Sequence, residues 1–344
     1  MISSVLAELI AERARREGPL GFADVVETAL YHPRLGFYEA GGAAGRGGDF
    51  LTSPEVGQLF GAVLARALDS WWVEMGQPSP FTVVEAGAGR GVLAKAVLAA
   101  APACRPALRY VAVERSSALR AQLPEGVEPA VVMPEQPFVG VVLANELLDN
   151  LPFGLLERRA GGWAEVRVTE ALLETLVPVD DGAESRLAPD APVGGRIPTQ
   201  RAACAWVDHA RGLVQAGRVV VLDYADTTPS MARRPWTEWV RTYRGHSRGR
   251  PPLADLGGQD VTCEVAVDQL PVPSADHSQT EFLRAHGIDE LAAEAGQAWQ
   301  ERAHIGDLQA LMARSRANEA VALTDPTGLG AFRVLEWVAC GQGR

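Results

Sequence analysis

A glycine-rich turn between a predicted strand and a predicted helix constrains the fold of this 344-residue chain more than any other feature. Residues 81–86 (FTVVEA) form a short apolar, β-branched run that is typical of a buried strand. The sequence GAGRG follows, and a helical pattern begins at Val92. Glycines at such a turn let the backbone approach a ligand, because no Cβ stands in the way. The turn therefore predicts an α/β fold with a ligand site at the end of a strand.

Further strand-like runs alternate with helical patterns, which predicts a mostly parallel sheet with helices on both faces. In residues 154–180, apolar and polar residues alternate on either side of two glycines, which predicts antiparallel hairpins beside that sheet. Residues 226–260 are rich in proline, glycine and arginine and predict a long loop. The other predicted strands are 108–114, 138–144, 218–225 and 332–340, and the predicted helices include 2–17, 22–30, 53–75 and 279–319.

The composition argues against several classes of protein. Lysine and arginine number 32 against 43 acidic residues, and a net charge of −11 disfavours binding to nucleic acid or to anionic lipid. No run approaches the ~18 apolar residues that span a bilayer. The first residues lack the basic start and apolar block of a signal peptide, so we expect a cytoplasmic location. The four cysteines lie far apart without a cysteine–histidine cluster, which predicts neither disulfides nor a metal site.

The residues around the glycine turn favour one ligand over another. Gly87, Gly89 and Gly91 form GxGxG rather than the GxGxxG of dinucleotide sites, and Glu85 opens the turn. A carboxylate would repel a diphosphate but suits the sulfonium and ammonium of S-adenosylmethionine (SAM). Glu114 closes the next predicted strand. An acid at that place can accept hydrogen bonds from both ribose hydroxyls of a bound nucleoside. A tight turn without a ligand and a solvated strand end remain the alternatives.

A third group of polar residues, in the sequence ANELLDNLP, follows the third predicted strand at residues 144–152. The carboxyl ends of strands in open α/β sheets line the ligand crevice, so Asn145 is a candidate cofactor contact. Glu146 and Asp149 lie three residues apart and would face one side if a helical turn began there. Two carboxylates could hold a guanidinium in a bidentate fork, whereas a small neutral substrate would not need them. Asp149 could instead cap a helix.

The chain resembles class I SAM-dependent methyltransferases and, more narrowly, the MidA-like family, which includes a mitochondrial complex I assembly factor. GDFLTSPE at residues 48–55 and ANELLDNLP are the specific motifs, whereas VVEAGAGRG is common to class I enzymes. The chain departs from the family pattern at Ala88, where proline is usual, and at 270–278, a proline-bearing stretch where an antiparallel edge strand is expected. The other matching pieces are YHPRLGFY from Tyr31, YRGH from Tyr243, QTEFL from Gln279 and FRVL from Phe332.

This resemblance implies a Rossmann-like core that binds SAM and methylates protein arginine. It also implies that Asp49, Phe50, Thr52 and Ser53 fold over the cofactor, and the five glycines of 41–48 suggest a lid that SAM orders. The implied segments are 1–79 (helical extension and lid), 80–153 (first half of the core), 154–200 (inserted hairpins or substrate region) and 201–344 (second half of the core, with C-terminal helices).

Three functions remain open from the sequence. The first is methyl transfer from SAM to an accessible arginine of a partner protein, which the resemblance suggests is a respiratory-complex subunit. The second is a SAM-binding assembly factor that acts by holding its partner, and the third is a small-molecule methyltransferase. Glu146 and Asp149, the candidate catalytic residues, favour the first. The oligomeric state stays open.

Overall fold

Helices and strands alternate along much of the chain in the computed structural model, which describes residues 2–39, 52–245 and 247–341. The helices are α1 Ile2–Glu17, α2 Phe22–Tyr31, α3 Ser53–Val56, α4 Gln58–Glu74, α5 Val92–Ala99, α6 Ser117–Arg120, α7 Ala183–Leu187, α8 Arg201–Leu213, α9 Thr228–Met231, α10 Trp236–Trp239, α11 Gln279–Ala285, α12 Ile288–Arg302 and α13 Leu308–Leu323. The strands are β1 Leu20–Gly21, β2 Phe81–Ala86, β3 Leu108–Val113, β4 Glu128–Ala130, β5 Phe138–Asn145, β6 Gly154–Arg159, β7 Gly162–Val168, β8 Glu174–Val179, β9 Arg196–Thr199, β10 Val214–Asp223, β11 Ala225–Asp226, β12 Val240–Arg244, β13 Ser247–Arg248, β14 Asp260–Cys263, β15 Val265–Ala266, β16 Ala275–Ser278 and β17 Arg333–Ala339.

These elements form two compact units, each assembled from separate stretches of chain. The core unit comprises Leu51–Glu146, Ala210–Leu222 and Pro273–Arg344. The antiparallel unit comprises Met1–Phe50, Leu147–His209 and Asp223–Val272. The motif ANELLDNLP is divided between them, since the boundary falls after Glu146. The units therefore do not follow the four predicted segments: α3 and α4, expected in an N-terminal extension, pack into the core unit.

A seven-stranded sheet in the order β16-β17-β10-β5-β2-β3-β4 forms the centre of the core unit. Strands β10, β5, β2, β3 and β4 are parallel, and β16 pairs antiparallel with β17. Apolar side chains of α4, α5 and α11, such as Trp71, Val97 and Phe282, are buried in one cluster with the sheet residues Val83 and Val141. Continuous apolar runs form these strands because helices cover both faces of a parallel sheet.

The centre of this sheet depends on glycine at one row of the register. Gly140 on β5 lies beside Thr82 on β2 and Gly217 on β10. A Cβ on Gly140 would lie 1.8 Å from the carbonyl oxygen of Thr82, and one on Gly217 would lie 1.8 Å from the carbonyl oxygen of Gly140. Both glycines have positive φ, 150° and 128°. Glycine alone satisfies both requirements here.

The antiparallel unit contains smaller sheets. Strands β1, β7, β6 and β9 form one sheet, with β8 paired to β7, and β13, β12 and β14 form another. The short strands β11 and β15 pair in parallel. Helices α1 and α2 contribute to a buried cluster in which Phe22 packs on Phe153, with ring centroids 5.7 Å apart. The cluster also includes Trp239 and Val261.

The class I fold predicted from the sequence is confirmed, but several element boundaries are wrong. The predicted loop 226–260 contains α9, α10, β12 and β13, because Met231, Trp239 and Val240 are buried in the apolar cluster of the antiparallel unit. The predicted helix 279–319 is three helices, broken where Gly287 and Gly306 adopt left-handed conformations.

One other predicted helix is also wrong, whereas the expected edge strand is present. The predicted helix 53–75 is broken at Gly57, where a Cβ would lie 2.0 Å from the Glu319 carboxyl carbon. The expected edge strand before α11 does form, as β16, although prolines precede it. Among the helices of the described ranges, none has the length and apolarity to cross a bilayer.

Candidate cofactor site and buried acidic cluster

The glycine turn leaves β2 and bends back onto the end of β3. Backbone N–H groups of Gly87 and Ala88 donate to the Val113 carbonyl at 2.9 and 3.1 Å. The three glycines of the turn, Gly87, Gly89 and Gly91, have φ of 70°, 55° and 73°, which non-glycine residues seldom adopt. A Cβ on Gly91 would meet a proline ring at 2.6 Å, whereas one on Gly89 would meet nothing within 4 Å. Gly91 thus serves packing, and Gly89 leaves open space at the turn.

Glu114 joins the end of β3 to the turn. Its carboxylate accepts a hydrogen bond from the Gly89 N–H at 2.9 Å and another from the Ser116 N–H at 2.7 Å. The side chain is partly exposed, as a ribose-binding acid must be. Glu114 therefore lies at the glycine turn, as the sequence predicted. Its contact with ribose stays a prediction.

Glu85 is buried at the end of β2, and its partners belong to the fold. The Tyr110 hydroxyl donates to its carboxylate at 2.7 Å, and the backbone N–H of Ala94 donates as well. Burial raises the pKa of Glu85 to about 7, and the charge of Glu114 acts in the same direction. These contacts tie β2 to β3 and α5. The predicted contact between Glu85 and SAM stays a prediction, and Tyr110 is a residue that the sequence did not single out.

Asn145 and Glu146 lie at the carboxyl end of β5. Glu146 has φ of 51°, a strained backbone conformation for a side chain of this type. Its Oε1 accepts from the Ser53 backbone N–H and from Asn145 Nδ2, both at 3.1 Å. The Ser53 hydroxyl in turn donates to the Gln279 side-chain oxygen at 3.0 Å. Residues distant in sequence therefore fix the direction of the Glu146 carboxylate.

Two features of the core unit fit a bound SAM. The space beside Gly89 can receive a ligand against the backbone, and the buried Oδ1 of Asn145 has no hydrogen-bond partner among the described residues. A buried polar atom without a partner is costly, so a ligand that donates to it would stabilise the site. Glu114 and Asn145 are the residues that would hold the cofactor, and SAM supplies an electrophilic methyl group when bound.

The remaining predicted cofactor contacts are described only in part. Thr52 and Ser53 are buried, and the Thr52 carbonyl accepts from the Glu55 N–H at 2.9 Å at the start of α3. Asp49, Phe50 and the predicted lid at 41–48 lie outside the described residues.

Asp149 belongs to the antiparallel unit and is buried in a single 3₁₀ turn, Leu148–Asn150. The helical turn expected to align Glu146 with Asp149 begins only at Leu148. Asp149 does not cap it, because the Asp223 carboxylate accepts from the first two N–H groups of the turn, at 3.0 and 3.2 Å. The Tyr224 hydroxyl donates to Asp149 Oδ2 at 2.6 Å. Burial raises the pKa of Asp149 to about 6.

A second buried acid, Asp260 on β14, belongs to the same unit. Its Oδ1 accepts from the Tyr38 hydroxyl and from Asn150 Nδ2, both at 3.1 Å. Burial raises the pKa of Asp260 to about 7, and the nearby charge of Asp149 adds to this shift. The Tyr31 hydroxyl donates to the Asn150 carbonyl at 3.0 Å. We name this group the acidic cluster; it consists of Asp149, Asn150, Asp260, Tyr31, Tyr38 and Tyr224.

Sequence reasoning missed several members of these networks. Asp223 is the last residue of β10, and Tyr224 follows it directly. The rule that ligands bind at the carboxyl ends of strands could have found both residues. Asp260 had no such signal, since it lies in the stretch predicted as a loop. No group of three or more His, Cys, Asp or Glu side chains within the described ranges has the geometry to hold a metal ion.

The strand order, the glycine turn and the acid at the end of β3 define a class I SAM-dependent methyltransferase. Residues 63–285 match the family described as S-adenosyl-L-methionine-dependent methyltransferase. The match covers well over half of the chain, which therefore belongs to this family. The resemblance to MidA-like proteins is confirmed.

Solved structures agree with this assignment. A Burkholderia thailandensis protein bound to S-adenosyl-homocysteine has a TM-score of 0.84 and 29% identity, over 99% of this chain and 94% of that protein. A native crystal structure from the same organism gives a TM-score of 0.80, also at 29% identity, over 99% of this chain and 93% of that one. Since the bound product derives from SAM, the neighbour and the family together establish SAM as the cofactor.

Curated relatives carry a more specific name. The protein arginine methyltransferase NDUFAF7 homolog of Drosophila melanogaster, a mitochondrial protein, is 26% identical over 76% of this chain and 68% of its own length. Protein arginine methyltransferase NDUFAF7 of Danio rerio is 27% identical over 48% of this chain and 47% of its own length. The chain thus spans about two thirds of the fly protein and about half of the zebrafish protein.

Proposed function

We propose that the protein transfers the methyl group of SAM to a guanidinium nitrogen of an arginine in a partner protein. The names of the relatives support this acceptor. The observation that carries the proposal is the conformation of Glu146 and the hydrogen bonds that hold its carboxylate. Its backbone has a positive φ at the carboxyl end of β5, and its carboxylate accepts from the Ser53 N–H and from Asn145, in the unit that contains the glycine turn. Strain of this kind is retained where function requires it.

A carboxylate suits this acceptor for a physical reason. The guanidinium stays protonated near neutral pH, and its lone pairs are delocalised, so it is a weak nucleophile. A charge-assisted hydrogen bond from the guanidinium to Glu146 would hold the cation and orient one nitrogen toward the methyl carbon. A respiratory-complex subunit as the partner, and a cytoplasmic location, remain predictions.

The test replaces Glu146 by glutamine, which keeps the Oε1 acceptor for Ser53 and Asn145 but removes the charge. Labelled SAM is supplied with total lysate, and the labelled residue is identified by amino-acid analysis. We expect methylarginine with the wild type, a loss of transfer of at least a hundredfold with Glu146→Gln, and unchanged SAM affinity by calorimetry. Glu290→Gln, an exposed acid on α12, is the matched control and should leave both quantities unchanged.

Other results would select the alternatives. Label in a small molecule rather than in protein would identify a metabolite methyltransferase. Binding of SAM together with a partner protein, but without label transfer, would identify an assembly factor. A Glu146→Gln variant with normal transfer to arginine would remove Glu146 from the site and leave the activity standing.

A further inference from the structure

Three motifs from the sequence are joined by hydrogen bonds inside the core unit. Ser53 belongs to GDFLTSPE, Glu146 belongs to ANELLDNLP, and Gln279 begins QTEFL. The Ser53 N–H donates to Glu146 Oε1 at 3.1 Å, and the Ser53 hydroxyl donates to Gln279 Oε1 at 3.0 Å. One residue therefore connects Gln279 to the Glu146 carboxylate, although the two are far apart in the sequence.

The Gln279 side chain is buried and has a partner at each end of its amide. Gln279 and Ser53 are both 0% exposed. Gln279 Nε2 donates to the carbonyl of Leu323, the last residue of α13, at 3.0 Å. Because only the oxygen of an amide accepts and only its nitrogen donates, these two partners fix the orientation of the group. Breaking either bond would leave a buried polar group unpaired, which is costly. The oxygen of Gln279 thus holds the Ser53 hydroxyl in one place.

The start of α11 does not need this side chain. Ser278 and Glu281 form a capping box, in which each side chain accepts from the backbone N–H of the other residue. The Thr280 hydroxyl lies 3.1 and 3.2 Å from two backbone carbonyl oxygens of the segment after α13. These contacts hold the beginning of the helix to its neighbours. The side-chain oxygen of Gln279 therefore has a different role, which is to bind Ser53.

The Glu146 carboxylate depends on its neighbours for its direction. The backbone of Glu146 has a φ of 51°, which side chains of this type seldom adopt. Its Oε1 also accepts from Asn145 Nδ2 at 3.1 Å, so Ser53 and Asn145 together set the position of this oxygen. A displaced Ser53 N–H would turn the carboxylate. Group-transfer rates fall steeply when an orienting group moves by about 1 Å.

We propose that Gln279 is a positioning residue for methyl transfer. It holds the Ser53 hydroxyl, the Ser53 N–H then fixes Glu146 Oε1, and the Glu146 carboxylate meets the acceptor guanidinium in one direction. The role of Glu146 rests on the proposed function, whereas the hydrogen-bonded link between Gln279 and Glu146 does not. The assignment gives the motif QTEFL a part in the reaction.

The first experiment measures methyl transfer by the full chain from SAM to a glycine-flanked arginine peptide. Ser53→Ala removes the hydroxyl but keeps the N–H that donates to Glu146, and Gln279→Leu removes the acceptor. We expect kcat to fall at least tenfold in each variant, because the carboxylate loses its direction. The KM for the peptide should stay within about twofold of the wild type, because the charge of Glu146 remains. SAM affinity by calorimetry should be unchanged, which also reports that the chain is folded.

Thr280→Val is the matched control, because it removes a hydroxyl from the next residue of α11 that does not bind Ser53. It should keep the kcat of the wild type. If Gln279→Leu fails to fold, Ser53→Ala carries the test, since it leaves the bond from Gln279 to Leu323 intact. Wild-type kcat in Ser53→Ala, or an equal loss in Thr280→Val, would overturn the proposal.

The second experiment combines the two substitutions in one chain. If Gln279 acts through the Ser53 hydroxyl, the double variant should have the kcat of the slower single variant, because the same hydrogen bond is lost in each. Two losses that multiply would show that the residues act separately, and would contradict the proposed link.

The third experiment observes the link without methyl transfer. Exchange of the Ser53 N–H with deuterium is followed by mass spectrometry of fragments that contain it. We expect exchange to be at least tenfold faster in Gln279→Leu and unchanged in Thr280→Val. Faster exchange, in a chain whose wild type does not methylate the arginine peptide, would refute the proposed function and leave the link standing. Wild-type exchange and wild-type kcat in Gln279→Leu would refute the positioning role and leave arginine methylation standing.

Discussion

Buried acids have different surroundings in the two units. In the core unit, Glu85 receives hydrogen bonds from a tyrosine hydroxyl and a backbone N–H, and Glu319 receives them from the Leu59 N–H and the Ser315 hydroxyl, both at 2.9 Å. In the antiparallel unit, Asp149 and Asp260 each keep one buried oxygen without a partner among the described residues. The buried acids of the core unit thus have a donor at the carboxylate, whereas Asp149 and Asp260 each keep one buried oxygen without a donor among the described residues.

The same difference extends to the backbone. The core unit builds its cofactor turn and the centre of its sheet from glycines with positive φ, and at Gly91, Gly140 and Gly217 a Cβ would also clash with neighbouring atoms. The acidic cluster is instead assembled from side chains at the end of α2 and just after it, on the 3₁₀ turn, directly after β10, and on β14. Substitutions in the sheet of the core unit should therefore affect stability by steric clash, and substitutions in the cluster should change how stability depends on pH.

The largest effect is expected for Gly140→Ala. The new methyl group would lie 1.8 Å from the Thr82 carbonyl oxygen, at a φ that alanine rarely adopts. We expect the free energy of unfolding to fall by about 4–5 kcal/mol, measured by urea titration. Gly212→Ala is the control, because a Cβ there meets nothing within 4 Å and alanine favours the helix α8. Equal stability of the two variants would show that the close approach in the sheet is relaxed in solution.

The next effect concerns the pH dependence of stability. The pKa of Asp260 is raised to about 7 from an ordinary value of 3.8, so the folded chain loses stability as pH rises from about 4 to about 7. In Asp260→Asn, the free energy of unfolding should fall by about 2–4 kcal/mol less over this pH range than in the wild type. Thermal unfolding at pH 4 and at pH 8 measures this difference. The groups that face Asp260 are Asp149, Asn150 and Tyr38.

Asp149 titrates in the same range, with a pKa of about 6, so some pH dependence should survive in the Asp260 variant. Asp190→Asn should keep the full wild-type profile, because that acid is exposed. An Asp260→Asn profile identical to that of the wild type would mean that the carboxyl of Asp260 is neutralised by a partner in solution, and the contrast between the two units would disappear.

A smaller effect is expected at the cofactor turn. Glu114→Gln keeps one acceptor for the Gly89 N–H but cannot supply two charged oxygens to ribose hydroxyls. The loss of charge-assisted hydrogen bonds, about 1.5–3 kcal/mol, should weaken SAM binding at least tenfold in calorimetry. Glu128→Gln, an exposed acid on β4 that pairs with Arg109, should leave SAM affinity unchanged. If the two variants bind SAM alike, Glu114 holds the turn but does not contact the ribose.

The sequence predicted the core unit better than the antiparallel unit, for a physical reason. Strands such as β2 and β5 are buried on both faces, so they are continuous apolar runs, and the polar residues that follow them stand out. The acid at Glu114 and the motif at Asn145 could be found in this way. Asp260 lies on a four-residue strand after a proline- and arginine-rich stretch, and nothing local distinguishes it from a loop acid.

The smallest effect uses two buried thiols as reporters of the two units. Burial raises the pKa of Cys104 in the core unit to about 12 and raises the pKa of Cys263 in the antiparallel unit, so neither should react with maleimide until its surroundings open. In a chain with Cys204 and Cys340 replaced by serine, SAM at about ten times its dissociation constant adds about 1.4 kcal/mol to the stability of whatever it binds. We expect labelling of Cys104 to slow about tenfold and labelling of Cys263 to change little, as followed by mass spectrometry of the peptides. Equal protection of both thiols would mean that the units open together, and protection of Cys263 alone would contradict the assignment of the cofactor to the core unit.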